Sequence, residues 1–486
     1  MNWKQAALNP DVEFKPYQQR AIDKILDQNA LTVAHGTGTG KTVTGVGAFE
    51  KLREAQKANK ALVVTPASLR TNFGEHGVNK FTDSKHQIVQ SGKDEIDPDS
   101  DYLITSHSLF AKDPNKFTDG RDTLIVDEAH SARNQSTALA NALQEAAPNF
   151  DNRVMLTASP FNNSPGDLAT LLNTTKGERE YGQSEIDNNY IKDKTKRFGP
   201  LSFLGIGKKR RVGEEFSPDR RLKKDLQKYF DYEEGKGNLP KVKNEVKKVP
   251  MTDEQLKAYR YAYNQMPKPV RMAVKKDIIP DKRNSSSFFG ALMNARIASN
   301  NPASLLEDYE DGDPSISAKA LELRKDLEKT ASNMIYTNYN KHGAQVIANA
   351  LREAQINSSQ IQGGMKDSDK DKQIEDFKSG KTDAFVTTPT GKEGISLPNV
   401  KQEVIFDPTW NPEVTKQAIG RGVRADSLAN QVGVKQYIAV EPERKKILGL
   451  FKRKRKPSVE EWIHSTAEKK KQLQKQVYNY MGGGTN

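Results

Sequence analysis

The chain has 486 residues and no cysteine, which excludes disulfides and thiolate metal sites. It also lacks any run of about 18 apolar residues, so no membrane-spanning helix is expected. The opening "MNWKQAALNPDVEF" has no basic stretch followed by an apolar one, and no secretion signal is expected from it. No internal repeat at a fixed period is visible, nor any segment that reads as a fused reader domain, nuclease or zinc module. Apolar residues are lean at 35 %, against 29 % charged. A chain this long with that balance suits two to four domains carrying much exposed surface.

What is plentiful is positive charge. Lys and Arg number 76 against 63 Asp and Glu, a formal net charge of +13. A basic excess suits a polyanionic partner, nucleic acid before membrane. It is concentrated between Lys176 and Pro250, where 20 basic residues face 13 acidic ones, and "GKKRRV" (207–212) and "RRLKK" (220–224) fall there. "KRKRK" (452–456) opens the C-terminal tail. No regular aromatic interleaving accompanies these clusters, so stacking on single-stranded bases is not indicated.

Short Val/Ile/Leu runs alternate with helical patterns from Leu31 to Asn173. They include "LTVA" (31–34), "ALVVT" (61–65), "YLIT" (102–105), "TLIV" (123–126) and "RVMLT" (153–157). Continuous apolar runs of this length predict strands buried on both faces of a parallel sheet. A first helix is expected over Tyr17–Gln28, with Ala21, Ile22, Ile25 and Leu26 on one face. The pattern stops at about 174, and no buried strand is expected until about 312. It resumes with "NMIYT" (333–337), "AFVTT" (384–388), "EVIF" (403–406) and "KQYIAV" (435–440). Near the end, Ser458 and Glu461 form a capping-box pattern, opening a helix that places Val459, Trp462, Ile463, Thr466, Leu473 and Val477 near one side.

The expected fold is therefore α/β: two parallel-sheet domains, a basic and mainly helical insertion between them, and a C-terminal helix. The boundaries read as 1–173, 174–312, 313–447 and 448–486.

"HGTGTGKT" (35–42) follows a predicted strand and precedes a predicted helix, the context of a phosphate-binding loop. Backbone N–H groups around Gly36, Gly38 and Gly40 and the helix N-terminus would face the phosphates of ATP. Lys41 would reach the β- and γ-phosphates, and the Thr42 hydroxyl would coordinate Mg²⁺. His35 stands where such loops usually begin with Gly or Ala. About 85 residues later, "TLIVDEAH" puts Asp127 and Glu128 at the end of an apolar strand, the edge that faces the ligand crevice in an open α/β sheet. Asp127 would hold Mg²⁺ and Glu128 would take the proton of the attacking water. A bare small-molecule kinase is disfavoured by the second α/β domain.

"GTGTGKT", "DEAH" and "QAIGRGVR" (417–424), in this order, resemble superfamily 2 helicases and translocases. The chain is most similar to the Swi/Snf-type double-stranded DNA translocases and related viral NTPases, and the likeness runs along nearly its whole length. "FKPYQQRAI" resembles that family's adenine-side element, with Gln18 matching its glutamine. "LVVTPASL", "ITSHSLF", "LTASPFNNSPGDLATLLN" and "FDPTWNPEVTKQAIGRGVR" resemble further motifs in order, with Ala158 and Ser159 replacing the commoner Gly and Thr. The resemblance implies two RecA-like domains and a nucleic-acid-stimulated ATPase. Gln417 would belong to the nucleotide site, while Arg421 and Arg424 would lie on one side of a helix opening after "TWNPEVTK" and cross to the γ-phosphate. It implies nucleic-acid grips at Thr65, Pro66, Ser106 and His107 in the first domain, and at Thr388, Gly391 and Lys392 in the second. The basic insertion would brace duplex DNA through Lys208, Lys209, Arg210 and Arg211. The expected partners are double-stranded DNA and a protein that supplies targeting, with no membrane, in the interior of a bacterium or virus-infected cell. A strand-separating DNA or RNA helicase and an ATP-gated clamp that does not move are the alternatives.

Overall fold

The computed structural model describes residues 8–162, 164–198, 208–235, 239–278, 285–327, 332–389, 395, 397–424, 427–443 and 455–482. The chain divides into two compact units. The first comprises residues 1–192, 215–237 and 472–486, the second residues 193–214 and 238–471.

The first unit is built on a seven-stranded parallel sheet. Its strands are β1 (Ala30–His35), β2 (Ala61–Thr65), β3 (His86–Ile88), β4 (Tyr102–Ser106), β5 (Thr123–Val126), β6 (Asn152–Thr157) and β9 (Phe230–Glu233), in the order β3-β4-β2-β5-β6-β1-β9. The apolar runs explain the burial. Leu62 and Val64 of β2 pack on one face of the sheet and Ala61 and Val63 on the other, and β5 divides in the same way between Leu124, Val126 and Ile125. Side chains two apart share a face, so an unbroken apolar run is needed when both faces are covered. Helix α1 (Pro16–Gln28) lays Ala21, Ile22 and Ile25 on one of these faces, as its periodicity predicts. Helix α2 (Lys41–Glu54) follows β1 directly.

The second unit carries a six-stranded parallel sheet. Its strands are β10 (Lys241–Pro250), β11 (Asn333–Tyr336), β12 (Ser358–Ile361), β13 (Ala384–Thr387), β14 (Gln402–Ile405) and β15 (Gln431–Val440), in the order β10-β15-β14-β11-β13-β12. β7 (Ile191–Phe198) and β8 (Lys208–Phe216) form a separate two-stranded sheet. The helix Val459–Tyr478 begins with the expected capping box. The Ser458 hydroxyl accepts from the Glu461 N–H at 3.1 Å, and the Ser458 N–H donates to the Glu461 carboxylate at 3.0 Å. Val459, Trp462 and Ile463 are buried in the second unit's core, and Leu473 and Val477 in the first unit's.

The segment from 174 to 312 is basic and mainly helical but not free of buried strand, contrary to the reading of its sequence. It contributes β9 to the first sheet and β10 to the second, besides the pair β7 and β8. The reason is composition. β9 is only "FDYE", and β10 is a lysine-rich edge strand whose first six residues are exposed. Neither carries the apolar run by which a central strand announces itself.

Candidate active site

In the first unit β1 delivers the chain into a tight loop that α2 closes. Gly38 and Gly40 adopt φ of 74° and 76°, left-handed conformations that side chains with a Cβ rarely take. Gly36 is required for a different reason: a Cβ there would lie 2.4 Å from the Glu234 carbonyl oxygen. The loop is tied internally by the Thr39 hydroxyl, which donates to Gly36 O at 2.7 Å, and the Lys41 ammonium reaches the same carbonyl at 3.3 Å. α1 braces the loop from outside. Gln18 Nε2 donates to Thr39 O at 2.8 Å while its Oε1 accepts from the Lys15 N–H at 2.8 Å, and the Tyr17 hydroxyl donates to Thr39 O at 3.1 Å.

A cleft of about 210 Å³ opens over this loop, lined by Gly38, Gly40, Lys41, Thr42, Leu69, Asn72, Phe73, Asp127 and Glu128. The two carboxylates differ in character. Asp127 is buried and its pKa is pushed up to about 6 by burial and by the neighbouring charge of Glu128, against the pull of Lys41. Its Oδ2 accepts from the Thr65 hydroxyl at 3.1 Å. Glu128 has a left-handed backbone, φ 48° and ψ 45°, which turns its side chain out of the strand's alternation. Burial opposes its charge, but His130 at 3.1 Å and Lys41 together hold its pKa below the usual carboxylate range. His130 Nδ1 also lies 3.3 Å from the Thr157 hydroxyl. Thr42 and Asp127 line the same cleft, and a hydroxyl together with a carboxylate is a hard-oxygen donor set of the kind Mg²⁺ takes, so the two residues fit that ion.

Leu69, Asn72 and Phe73 line the cleft without having been expected. They lie in the short helix after β2 and the π-helical turn Asn72–Val78, where the sequence carries no phosphate-site signal.

The first-unit residues expected to grip nucleic acid have internal partners. Besides the Thr65 bond to Asp127, the Ser106 hydroxyl caps the helix His107–Lys112 by accepting from the Leu109 N–H at 3.2 Å. His107 Nε2 lies 2.9 Å from the Asp127 carbonyl oxygen, and burial lowers its pKa. Pro66 sits at the start of the turn Ala67–Leu69.

In the second unit, Asn411 caps the helix Pro412–Ile419 by accepting from the Glu413 N–H at 2.9 Å, and Pro412 occupies the first turn. This helix begins earlier than expected and ends before the arginines, with Gly420 as the residue after its last turn. Gln417 is exposed on its last turn. Arg421 and Arg424 lie in the turns that follow. Arg421 Nη1 donates to the Thr387 hydroxyl at 2.7 Å, and Arg424 Nε to Gly420 O at 2.8 Å. Thr388 is buried at the end of β13, while Gly391 and Lys392 lie outside the described residues. Lys208, Lys209, Arg210 and Arg211 all belong to β8. Arg211 is ion-paired with Asp193 at 2.8 Å and with Glu214. Among the described residues no helix is long and apolar enough to cross a membrane.

Two parallel-sheet units, the first with a phosphate-type loop and paired carboxylates at strand ends, define the RecA-like fold of the superfamily 2 helicase class. The chain matches the SNF2-related domain over residues 17–304 and the helicase conserved C-terminal domain over residues 318–426. It belongs to the SNF2-related family. It is 23 % identical over 460 residues to the ISWI chromatin-remodeling complex ATPase ISW2 of Saccharomyces cerevisiae, covering 88 % of this chain and 38 % of that protein. It therefore spans well under half the length of that relative. It is 22 % identical over 486 residues to the putative ATP-dependent RNA helicase L538 of Acanthamoeba polyphaga mimivirus, covering 95 % of this chain and 94 % of that one. Among solved structures it is similar to the Sulfolobus solfataricus SWI2/SNF2 ATPase core in complex with dsDNA, at 18 % identity and a TM-score of 0.42, over 90 % of each chain.

Proposed function

We propose that the chain is an ATP-driven motor that couples hydrolysis to movement along double-stranded DNA. The observation that carries this reading is the cleft of the first unit, where Lys41, Thr42, Asp127 and Glu128 converge over a glycine loop. Lys41 binds the β- and γ-phosphates, and the backbone of Gly36, Gly38 and Gly40 cradles them, with Gln18 on the base side. Thr42 and Asp127 would hold Mg²⁺, which would supply charge neutralisation to the phosphates. Glu128, kept ionised by His130 and Lys41, takes the proton of the attacking water. Arg421 and Arg424 are assigned to the γ-phosphate during turnover, a contribution of roughly 10³–10⁵ in rate when such arginines act, and Gln417 to the nucleotide site.

The working assignment of regions is 1–173 for the first ATPase domain, 174–312 for the brace on DNA, 313–447 for the arginine-bearing domain and 448–486 for the tail. Thr65, Pro66, Ser106, His107, Thr388 and Lys392 are assigned to phosphate contacts, which are blind to sequence and suit a motor. Lys208, Lys209 and Arg210 add electrostatic grip, and a separate protein supplies targeting. The chain works inside the cell, bacterial or virus-infected. Displacement of a third strand from a triplex, run beside unwinding of a forked duplex, tests the reading. ATP-dependent triplex displacement without unwinding is expected. Unwinding of the fork, or neither activity despite hydrolysis, refutes duplex translocation.

A further inference from the structure

His35 is the residue at which the loop departs from the usual Gly or Ala, and the first unit gives it a partner. Its Nε2 lies 2.8 Å from Asp231 Oδ2, both side chains being fully buried. Asp231 is also held by a two-pronged contact from Arg20 at 2.9 Å and by Lys24 at 2.7 Å, both on α1. Burial opposes the charge of this carboxylate, but His35, Arg20 and Lys24 hold its pKa well below the ordinary range. An ionised carboxylate taken out of water costs several kcal/mol before its partners repay it, so a fully buried one with three donors is a specific arrangement.

Its location gives it a use. Asp231 lies on β9, which pairs with β1 so that His35 stands opposite Glu233. Where the side chains stop, the backbone continues: the Gly36 N–H donates to Glu233 O at 2.8 Å. α1, the helix that Asp231 grips, is the same helix whose Tyr17 and Gln18 hold Thr39 O. One carboxylate thus ties together the first residue of the phosphate loop and the helix that braces the loop's far end.

We propose that Asp231 is a positioning residue for nucleotide, fixing His35 and α1 so that the base-side and phosphate-side contacts of a nucleoside di- or triphosphate are presented together. This rests on the ATPase reading of the cleft. β9 comes from the segment that also carries the basic strand β8, so nucleotide affinity depends on a strand about 190 residues downstream of the loop in sequence.

Equilibrium binding of a fluorescent ADP analogue to the full chain tests it, with Lys41→Ala as the control for the site. Asp231→Asn and His35→Leu each remove a charged hydrogen bond and are expected to weaken binding about tenfold. Arg20→Gln, at a partly exposed position, weakens it less, and His35→Gln, which can still donate to Asp231, restores much of the loss. A bond that served stability alone would lower the melting temperature and leave the dissociation constant of the folded protein unchanged. Should Asp231→Asn not fold, Arg20→Gln and the pair His35→Leu and His35→Gln decide. If the wild type binds no nucleotide, the ATPase reading itself fails. If the wild type binds, Lys41→Ala does not, and the folded variants at 20, 35 and 231 bind like wild type, this inference is overturned while the ATPase reading stands.

Discussion

Glu403 on β14 should make the second unit less stable as pH rises, and Glu403→Met should remove that dependence. The side chain is fully buried, and among the described residues neither carboxyl oxygen has a well-formed hydrogen bond. Its surroundings are the Gly422 backbone, so close that a methyl there would come 2.5 Å from Oε1, and the charge of Arg421. Burial raises its pKa well above the ordinary glutamate value of 4.5, outweighing both. A raised pKa means that the folded state holds a proton which the unfolded state releases. Stability is then fully present below about 4.5 and is lost as pH rises from there toward the folded value. One such proton costs about 1.4 kcal/mol per pH unit in that window. From pH 5 to pH 6, wild type should lose stability relative to Glu403→Met, whose side chain fills similar volume without a charge, by at most about 1.4 kcal/mol. Urea unfolding of both proteins at the two pH values reads the difference, since every other titrating group is shared. Equal pH slopes, or a variant less stable than wild type at pH 6, would refute the argument from burial.

Arg424→Ala should keep ATP binding and lose most turnover, by about 10³-fold or more; single-turnover hydrolysis at saturating ATP measures it, and an unchanged rate removes Arg424 from the chemistry. Replacing Lys208, Lys209, Arg210 and Arg211 together with Ala should flatten the log–log salt dependence of duplex binding, by about 0.9 for each DNA phosphate no longer neutralised. Arg211→Ala alone should leave the slope unchanged, because its guanidinium is already paired with Asp193 and Glu214. Ser458→Ala removes one half of the capping box and should cost about 1 kcal/mol, read by chemical unfolding.

How much of this was legible depends on what each element is made of. β1, β2, β4, β5 and β6 announce themselves because strands covered on both faces must be apolar throughout, and β11, β13 and β15 follow the same rule in most of their length, β14 in only half of its own. β3 "HQI", β9 "FDYE" and β12 "SSQI" are three or four residues long and half polar or more, and only pairing with a neighbour makes them strands. The phosphate loop, Asp127 and Glu128 were readable because their chemistry needs those residue types at a strand end. Leu69, Asn72 and Phe73 were not, since they reach the cleft by the path of the chain after β2. The same holds for Asp231, which meets His35 across 196 positions. The arginines were singled out by their motif, but the helix ends at Ile419, so they lie in turns and not on a helical face.

The most direct test is the ATPase rate of the full chain measured in parallel without nucleic acid, with single-stranded DNA, with duplex DNA and with RNA. Translocation on duplex DNA predicts the largest stimulation by duplex DNA, and its loss in Lys41→Ala and Glu128→Gln. Hydrolysis that ignores all three nucleic acids, or that answers to RNA and not to duplex DNA, would contradict it.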